Sequence, residues 1–271
     1  MSTQLATKAL HAGHDSANSQ GTQAVPIYQT TSYVFKDSEH AANLFSLAEP
    51  GFIYTRLNNP TNDVLEQRLA ALEGGVAAVA TASGTAAIAT TLMVILKNED
   101  HIVASSSLYG GTYNLLANTL PRFGITTTFV DPDSPEEFSK AVQPNTRAFF
   151  AESLGNPKLD VLDLKVISEK AQAAKVPFIV DNTVASPALL NPIEYGANIV
   201  IHSLTKYLTG NGTSLGGIII DAGTFNWANG LFPEFTEPNP SYHGLNYHEA
   251  LGAIAFIAKV RIEGLRDLGS A

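Results

Sequence analysis

Lys206 lies in the run His202-Ser203-Leu204-Thr205-Lys206-Tyr207, just after an apolar stretch, and Asp181-Asn182-Thr183 closes another apolar stretch 25 residues earlier. A lysine amine condenses with an aldehyde to give an imine, so a lysine in this setting can hold an aldehyde cofactor. Such a cofactor needs a carboxylate on its ring nitrogen, hydroxyls and amides on its phosphate, and a ring against its face.

Each support has a candidate. Asp181 follows Val176-Pro177-Phe178-Ile179-Val180. A carboxylate there can pair with a pyridinium N–H and keep the ring an electron sink, although an Asp after a strand is ordinarily a helix cap or Asx turn. Thr183, two residues on, can pack against the ring face. Ser83-Gly84-Thr85 opens an almost wholly apolar helix. Its plain reading is a Ser N-cap, and its functional one a helix N-terminus whose N–H groups hold a phosphate dianion. Tyr109-Gly110-Gly111 opens another helix with an aromatic able to stack on a pyridine ring, where packing is the ordinary role. Together these supports describe pyridoxal phosphate.

Other groups are less informative. Tyr54-Thr55-Arg56 lies in irregular sequence, where an arm could carry a phenol and a guanidinium to a neighbour's phosphate. His11 and His14 have no third metal ligand in register, and His202 is expected in the cofactor cleft as packing or a hydrogen-bond donor. The glycines at 210, 212, 216 and 217 precede a strand instead of following one, which rules out the dinucleotide fingerprint, and there is no Walker loop.

The elements that must position these groups follow from periodicity. Leu65, Leu69 and Leu72 recur at helical spacing between Thr61 and the glycine stop at Gly74-Gly75. Apolar runs at 76–80, 102–104, 125–130, 148–151, 178–180, 199–201 and 217–220 then alternate with helical segments near 85–96, 112–120, 135–142 and 164–174. That alternation predicts an α/β fold, a mainly parallel sheet with helices on both faces. Ligands of such sheets bind beyond the strand carboxyl ends, where Ser83, Ser105, Glu152, Asp181 and Ser203 fall. Residues 1–60 read as an extended N-terminal arm, 61–271 as a cofactor-binding large domain, 222–244 as an aromatic and proline-rich insertion, and 247–266 as a closing helix.

Composition sets limits. The 271 residues are 45% hydrophobic, enough for a sizeable core, and the formal charge is −9 with a pI near 5.2. That charge, without a Lys/Arg run, argues against nucleic acid or an anionic membrane as partner. Zero cysteines exclude disulfides, thiolate catalysis and Cys-ligated metals. The longest apolar stretch, 86–96, is too short to span a bilayer of about 30 Å, and cytoplasm is the default location.

In order along the chain stand Tyr54-Thr55-Arg56, Asn59-Pro60-Thr61, Ser83-Gly84-Thr85, Tyr109-Gly110-Gly111-Thr112, Glu152-Ser153-Leu154-Gly155-Asn156-Pro157, Asp181-Asn182-Thr183 and Ser203-Leu204-Thr205-Lys206-Tyr207. This series resembles the pyridoxal-phosphate-dependent enzymes of Cys/Met metabolism, and within them the O-acetylhomoserine sulfhydrylase branch, to which the 240–244 and 266–269 segments are also similar. Cystathionine γ-synthases and γ-lyases are neighbouring branches, and a non-catalytic remnant is the alternative outside enzymology.

The resemblance implies that Lys206 carries the cofactor imine, Asp181 binds the pyridine nitrogen, Tyr109 stacks on the ring and Asn156 lies near the phenolic oxygen. Ser83, Gly84, Thr85, Ser203 and Thr205 would hold the phosphate, joined by Tyr54 and Arg56 from another subunit of a homo-oligomer. The implied reaction is γ-replacement on an O-acylhomoserine by sulfide or a thiol, with Lys206 moving protons, Tyr109 assisting, and homocysteine or methionine as product. A C-terminal small domain with a carboxylate-clamping arginine is a family feature expected to be absent here.

Overall fold

In the computed structural model, which describes residues 4–270, the chain forms a seven-stranded sheet layered between helices. In chain order the elements are α1 (Leu5–His11), α2 (Ser38–Phe45), α3 (Pro60–Glu73), β1 (Ala77–Thr81), α4 (Gly84–Ile95), β2 (His101–Ser105), α5 (Gly110–Asn114), β3 (Thr126–Val130) and α6 (Pro135–Lys140). Then come β4 (Thr146–Glu152), α7 (Leu164–Ala174), β5 (Phe178–Asp181), α8 (Ser186–Leu189), β6 (Ile199–Ser203), β7 (Gly217–Asp221), α9 (Tyr247–Leu251) and α10 (Ala255–Lys259).

The strand order is β1-β7-β6-β5-β4-β2-β3. Strands β3, β2, β4, β5 and β6 pair in parallel, whereas β7 runs antiparallel to both β1 and β6. Reversing only β7 leaves the carboxyl ends of the other six strands on one edge, so the polar residues following those apolar runs share a rim. Register aligns Glu152 with Asp181, Asp181 with Ile201, and both Thr81 and Ser203 with Gly217.

Both sheet faces are buried, and strand alternation divides the side chains between them. Val79, Ile179, Ile199, Ile201 and Ile219 face a core with α4, α10 and the aromatic insertion, where Trp227 stacks on Phe235 and Phe256 at centroid distances of 4.3 and 5.2 Å. Ala78, Phe178, Val180, Val200, Ile218 and Ile220 face a second core with α3, α6 and α7, which contribute Leu69, Phe138 and Ile167. Continuous apolar strands are what a two-sided core requires. The insertion at 222–244 is therefore core, because its rings fill the space over β1, β6 and β7.

Three elements depart from their sequence expectation. Residues 1–60 are not uniformly extended: α1 and α2 interrupt them, α2 being started by the Asp37 side chain accepting the His40 N–H at 2.8 Å. The segment from 112 to 120 is short α5 followed by a π turn, Leu115–Thr119, and a 3₁₀ turn, Leu120–Phe123. The segment from 247 to 266 breaks at Gly252, whose φ of 54° ends α9, and closes with a π turn, Val260–Arg266. In that turn Gly264 abuts α4: a Cβ on it would lie 2.5 Å from Thr90 Cγ2.

By contrast α3 follows its sequence signals closely. Asn59 caps it by accepting the Thr61 N–H at 2.9 Å, Pro60 starts it, and Gly74 at φ 81° ends it. Among the described residues, no helix is long and apolar enough to cross a membrane.

Candidate functional site

The rim at the strand carboxyl ends gathers most of the expected residues. Lys206 is exposed in the turn after β6, with its N–H on the Ser203 carbonyl at 3.3 Å and its own carbonyl accepting the Gly210 N–H at 2.9 Å. Asp181 ends the adjacent strand β5, so the acid and the lysine turn stand one strand apart. Burial pushes the Asp181 carboxyl above the usual carboxylate range, against the Thr183 hydrogen bonds and the nearby His202, which lower it. Part of its surface stays open, yet the surrounding protein strips away much of its water. A buried acid in this state gains from a cationic N–H donor, the chemistry a pyridinium offers.

The Thr183 hydroxyl is engaged on both sides. It donates to Asp181 Oδ1 at 2.5 Å and accepts the Ser203 N–H at 2.8 Å, so it couples the acid to the strand that carries the lysine turn. The Thr183 N–H also donates to Asp181 Oδ1, at 3.0 Å.

Gly84, the first residue of α4, is pressed against the end of β6. A Cβ added there would lie 2.7 Å from Ser203 Cβ and 2.9 Å from Ser203 Cα, inside contact distance. This brings the α4 N-terminus beside Ser203, with Thr85 exposed on its first turn. Ser83 performs the plain capping role, its Oγ accepting the Ala86 N–H at 3.1 Å. Gly217 is held small for a related reason: its Cβ would meet the Ser83 carbonyl oxygen at 2.0 Å. The Thr205 hydroxyl is engaged by the backbone, donating to the Gly216 carbonyl at 3.3 Å and accepting the Gly216 N–H at 3.2 Å.

Tyr109 stands at the rim with 53% of its surface exposed, enough to leave a ring face open to a ligand. A Cβ at Gly111 would meet the Tyr109 ring at 2.5 Å, so this glycine lets the ring lie over the backbone. Asn156 is half-buried in the loop after β4. That loop is pinned by Gly155 N–H to the Asp160 carbonyl at 3.0 Å and by Ser107 Oγ to Asp160 Oδ1 at 2.6 Å. A lysine turn, a buried acid, a glycine cradle at a helix N-terminus and an open aromatic face together fit pyridoxal phosphate.

Tyr54 and Arg56 are not brought to this rim within one chain. Arg56 donates to the Arg266 carbonyl and lies 5.4 Å from the Tyr54 ring centroid. The pair lines a separate cavity of about 510 Å³ with Phe35, Phe45, Tyr242 and Arg266. A second cavity, of about 200 Å³, shares Leu204 and Gly216 with the lysine turn and is lined by the Glu66–Arg261 pair, whose atoms are 2.5 Å apart. Burial raises the Glu66 carboxyl despite that guanidinium.

His202 lies behind the cleft instead of in it, fully buried with its Nε2 2.6 Å from Glu73 Oε1. Asn182 Nδ2 donates to the same oxygen at 2.9 Å, and Ser153 Oγ donates to Asn182 Oδ1 at 2.8 Å. Each of Ser153, Asn182 and His202 adjoins a rim residue in sequence, so this buried network ties three strand ends to the last residue of α3. Sequence reasoning missed it. The available signal was Glu73 falling four residues after Leu69 on the apolar stripe of α3, a place where a carboxylate is buried and needs partners. His14, one of the two N-terminal histidines, places its Nε2 2.9 Å from the Thr22 carbonyl.

Comparison with known proteins bears on this geometry. Residues 6–253 match the family model described as Cys/Met metabolism PLP-dependent enzyme. An O-acetyl-L-homoserine sulfhydrylase of Leptospira meyeri is 59% identical over 98% of this chain, and a homocysteine synthase of Schizosaccharomyces pombe is 50% identical over 97%. The chain spans 62% of the length of each. A crystal structure described as an O-acetylhomoserine (thiol)-lyase of Campylobacter jejuni, holding a pyridoxyl-lysine phosphate, superposes with a TM-score of 0.96 at 41% identity, covering all of this chain and 67% of that one.

Proposed function

Because this chain belongs to the Cys/Met metabolism PLP-dependent enzyme family, we propose that it binds pyridoxal 5'-phosphate through Lys206 and takes part in γ-replacement on O-acetylhomoserine by sulfide or a thiol, giving homocysteine or methionine. The observation that carries this reading is the adjacency of β5 and β6, which sets Asp181 one strand from the Lys206 turn. The sulfhydrylase and homocysteine synthase relatives support the substrate class.

When bound, pyridoxal phosphate supplies an aldehyde for amines and a ring that draws electrons from the substrate α-carbon. The residues of the chain do the rest. The Asp181 carboxylate would pair with the ring nitrogen and keep its proton there, while Thr183 fixes that carboxylate by two hydrogen bonds. The backbone N–H groups at the start of α4, with the Ser203 hydroxyl, take the phosphate, helped by the positive end of the helix dipole. Lys206 would hold the cofactor's aldehyde carbon and, as a free amine, would serve as the base that moves the substrate's Cα proton. Tyr109 would cover one ring face and shield the reacting atoms from water. We assign Asn156 to the edge of the ring and Ser83 and Thr205 to holding the backbone around the phosphate.

Within one chain Tyr54 and Arg56 line a cavity separate from this rim, which supports delivery of both to the phosphate of a second copy. On this reading residues 1–60 are the arm that makes the delivery, and 61–271 are the cofactor-binding domain.

The test is direct. Incubation with pyridoxal 5'-phosphate followed by borohydride reduction should attach a pyridoxyl group to Lys206, located by peptide mass spectrometry and absent from Lys206→Ala. Sulfide-dependent release of acetate from O-acetyl-L-homoserine then tests the reaction, and a chain that takes up no cofactor would refute the reading.

A further inference from the structure

Glu152 is a buried carboxylic acid to which the proposed reaction gives no task. It is the last residue of β4, is 6% exposed, and stands in register with Asp181 at the end of β5. Parallel strands run about 4.8 Å apart, so two carboxyl groups end side by side at the centre of the rim. Glu152 Oε1 accepts the Tyr109 N–H at 2.6 Å, and the backbone N–H of Asn156 stands close enough to favour the charged carboxylate. Those two amides belong to separate loops, one following β2 and the other following β4, and the two loops present the rim's open aromatic ring and its carboxamide.

We propose that Glu152 is a positioning residue, whose carboxyl group staples the backbones of Tyr109 and Asn156 to the end of β4 and so fixes both loops relative to Asp181. The inference rests on the cofactor reading given above. The geometry favours this role over that of a base or nucleophile, since the buried carboxyl is already engaged by the Tyr109 backbone N–H.

Electrostatics accords with that role. Desolvation first, and then the charge of Asp181, push the Glu152 carboxyl up to about 8, so near neutral pH it keeps its proton. Two adjacent buried carboxylates do not both ionise cheaply. A protonated Glu152 still offers an oxygen to two N–H donors and leaves Asp181 as the charged member. What the staple requires is an acceptor oxygen at the right reach, and charge is dispensable.

Three variants separate these requirements. Glu152→Gln keeps the reach and an acceptor oxygen, Glu152→Asp keeps the acid but shortens it, and Glu152→Ala removes both. Each is titrated with pyridoxal 5'-phosphate while the circular dichroism induced in the bound chromophore reports ring orientation, and amide exchange is followed at Tyr109 and Asn156. E152Q should stay within about twofold of wild type in affinity and induced signal, whereas E152D and E152A should bind about tenfold more weakly, with faster exchange at both amides.

Wild-type behaviour of E152D or E152A overturns the proposal, as does an E152Q no better than E152A. Should E152A fail to fold, E152D and E152Q decide. If the wild-type chain binds no cofactor, the proposed function falls, and amide exchange in the same variants still decides the staple.

Discussion

Thr183 donates two hydrogen bonds to one oxygen of Asp181, through its hydroxyl at 2.5 Å and its backbone N–H at 3.0 Å. The same hydroxyl oxygen accepts the Ser203 N–H, so a single side chain sets the acid and anchors the strand leading to Lys206. Thr183→Val removes a donor from a partly desolvated carboxylate and strands the Ser203 N–H, a loss of about 1–3 kcal/mol. Pyridoxal-phosphate affinity should fall about tenfold in T183V and recover in Thr183→Ser, as read by equilibrium titration.

Gly84→Ala sets two effects against each other. Alanine in place of glycine in a helix gains about 1 kcal/mol, but here the new methyl would lie 2.7 Å from Ser203 Cβ, and overpacking costs about 1–3 kcal/mol. The contact is with backbone-adjacent atoms that cannot swing away, so overpacking prevails. Denaturant unfolding of G84A should show a net loss of stability, and inorganic phosphate should protect it less than it protects wild type.

Arg261 donates to Glu66 at 2.5 Å, to the Leu57 carbonyl at 3.0 Å and to the Ala78 carbonyl at 3.1 Å, linking the N-terminal segment, α3 and β1. Removing one member of a buried pair leaves the other charge without compensation, at about 3–5 kcal/mol. Arg261→Ala should lose that much in chemical denaturation, and Arg261→Met with Glu66→Gln should regain more than half.

Asp221 has no task in the proposed reaction but does respond to pH. Burial pushes its carboxyl up to about 7 from an ordinary 3.8, and Oδ2 has no hydrogen-bond partner among the described residues. An acid raised on folding binds its proton more tightly in the folded state, so its stabilisation is complete below about pH 4 and is lost as pH rises through about 7. Asp221→Asn keeps the acceptor for the Gly223 N–H and cannot ionise. Its melting temperature should be close to wild type near pH 4 and higher at pH 8, by an amount corresponding to roughly 4 kcal/mol.

The sheet was legible because its strands are apolar on both faces and are followed by polar residues at the one edge where ligands bind. Asp181, Lys206 and the Ser83-Gly84-Thr85 turn fall on that edge as their spacing implies. Strand direction was not legible at β7, since Gly217–Asp221 reads the same in either sense and only its pairing with β1 and β6 orients it. The hydrogen bonds of the Thr183 and Thr205 hydroxyls were not legible, because their partners, Asp181 with the Ser203 N–H and the Gly216 backbone, are set by how the strands and turns pack. The break at Gly252 and the π turn at Val260–Arg266 were hidden by an apolar periodicity that continues across them.

The buried contacts of Glu73 with Asn182 and His202 join residues 109 and 129 positions apart. Contacts of such separation close large loops, and their entropic cost is met only when much of the chain is already in place. The rim is thereby tied to a helix formed early in the sequence and to strands formed late. On the proposed reading, cofactor capture would report on completed folding, since a chain in which α3 has not docked lacks the Glu73 contacts to Asn182 and His202.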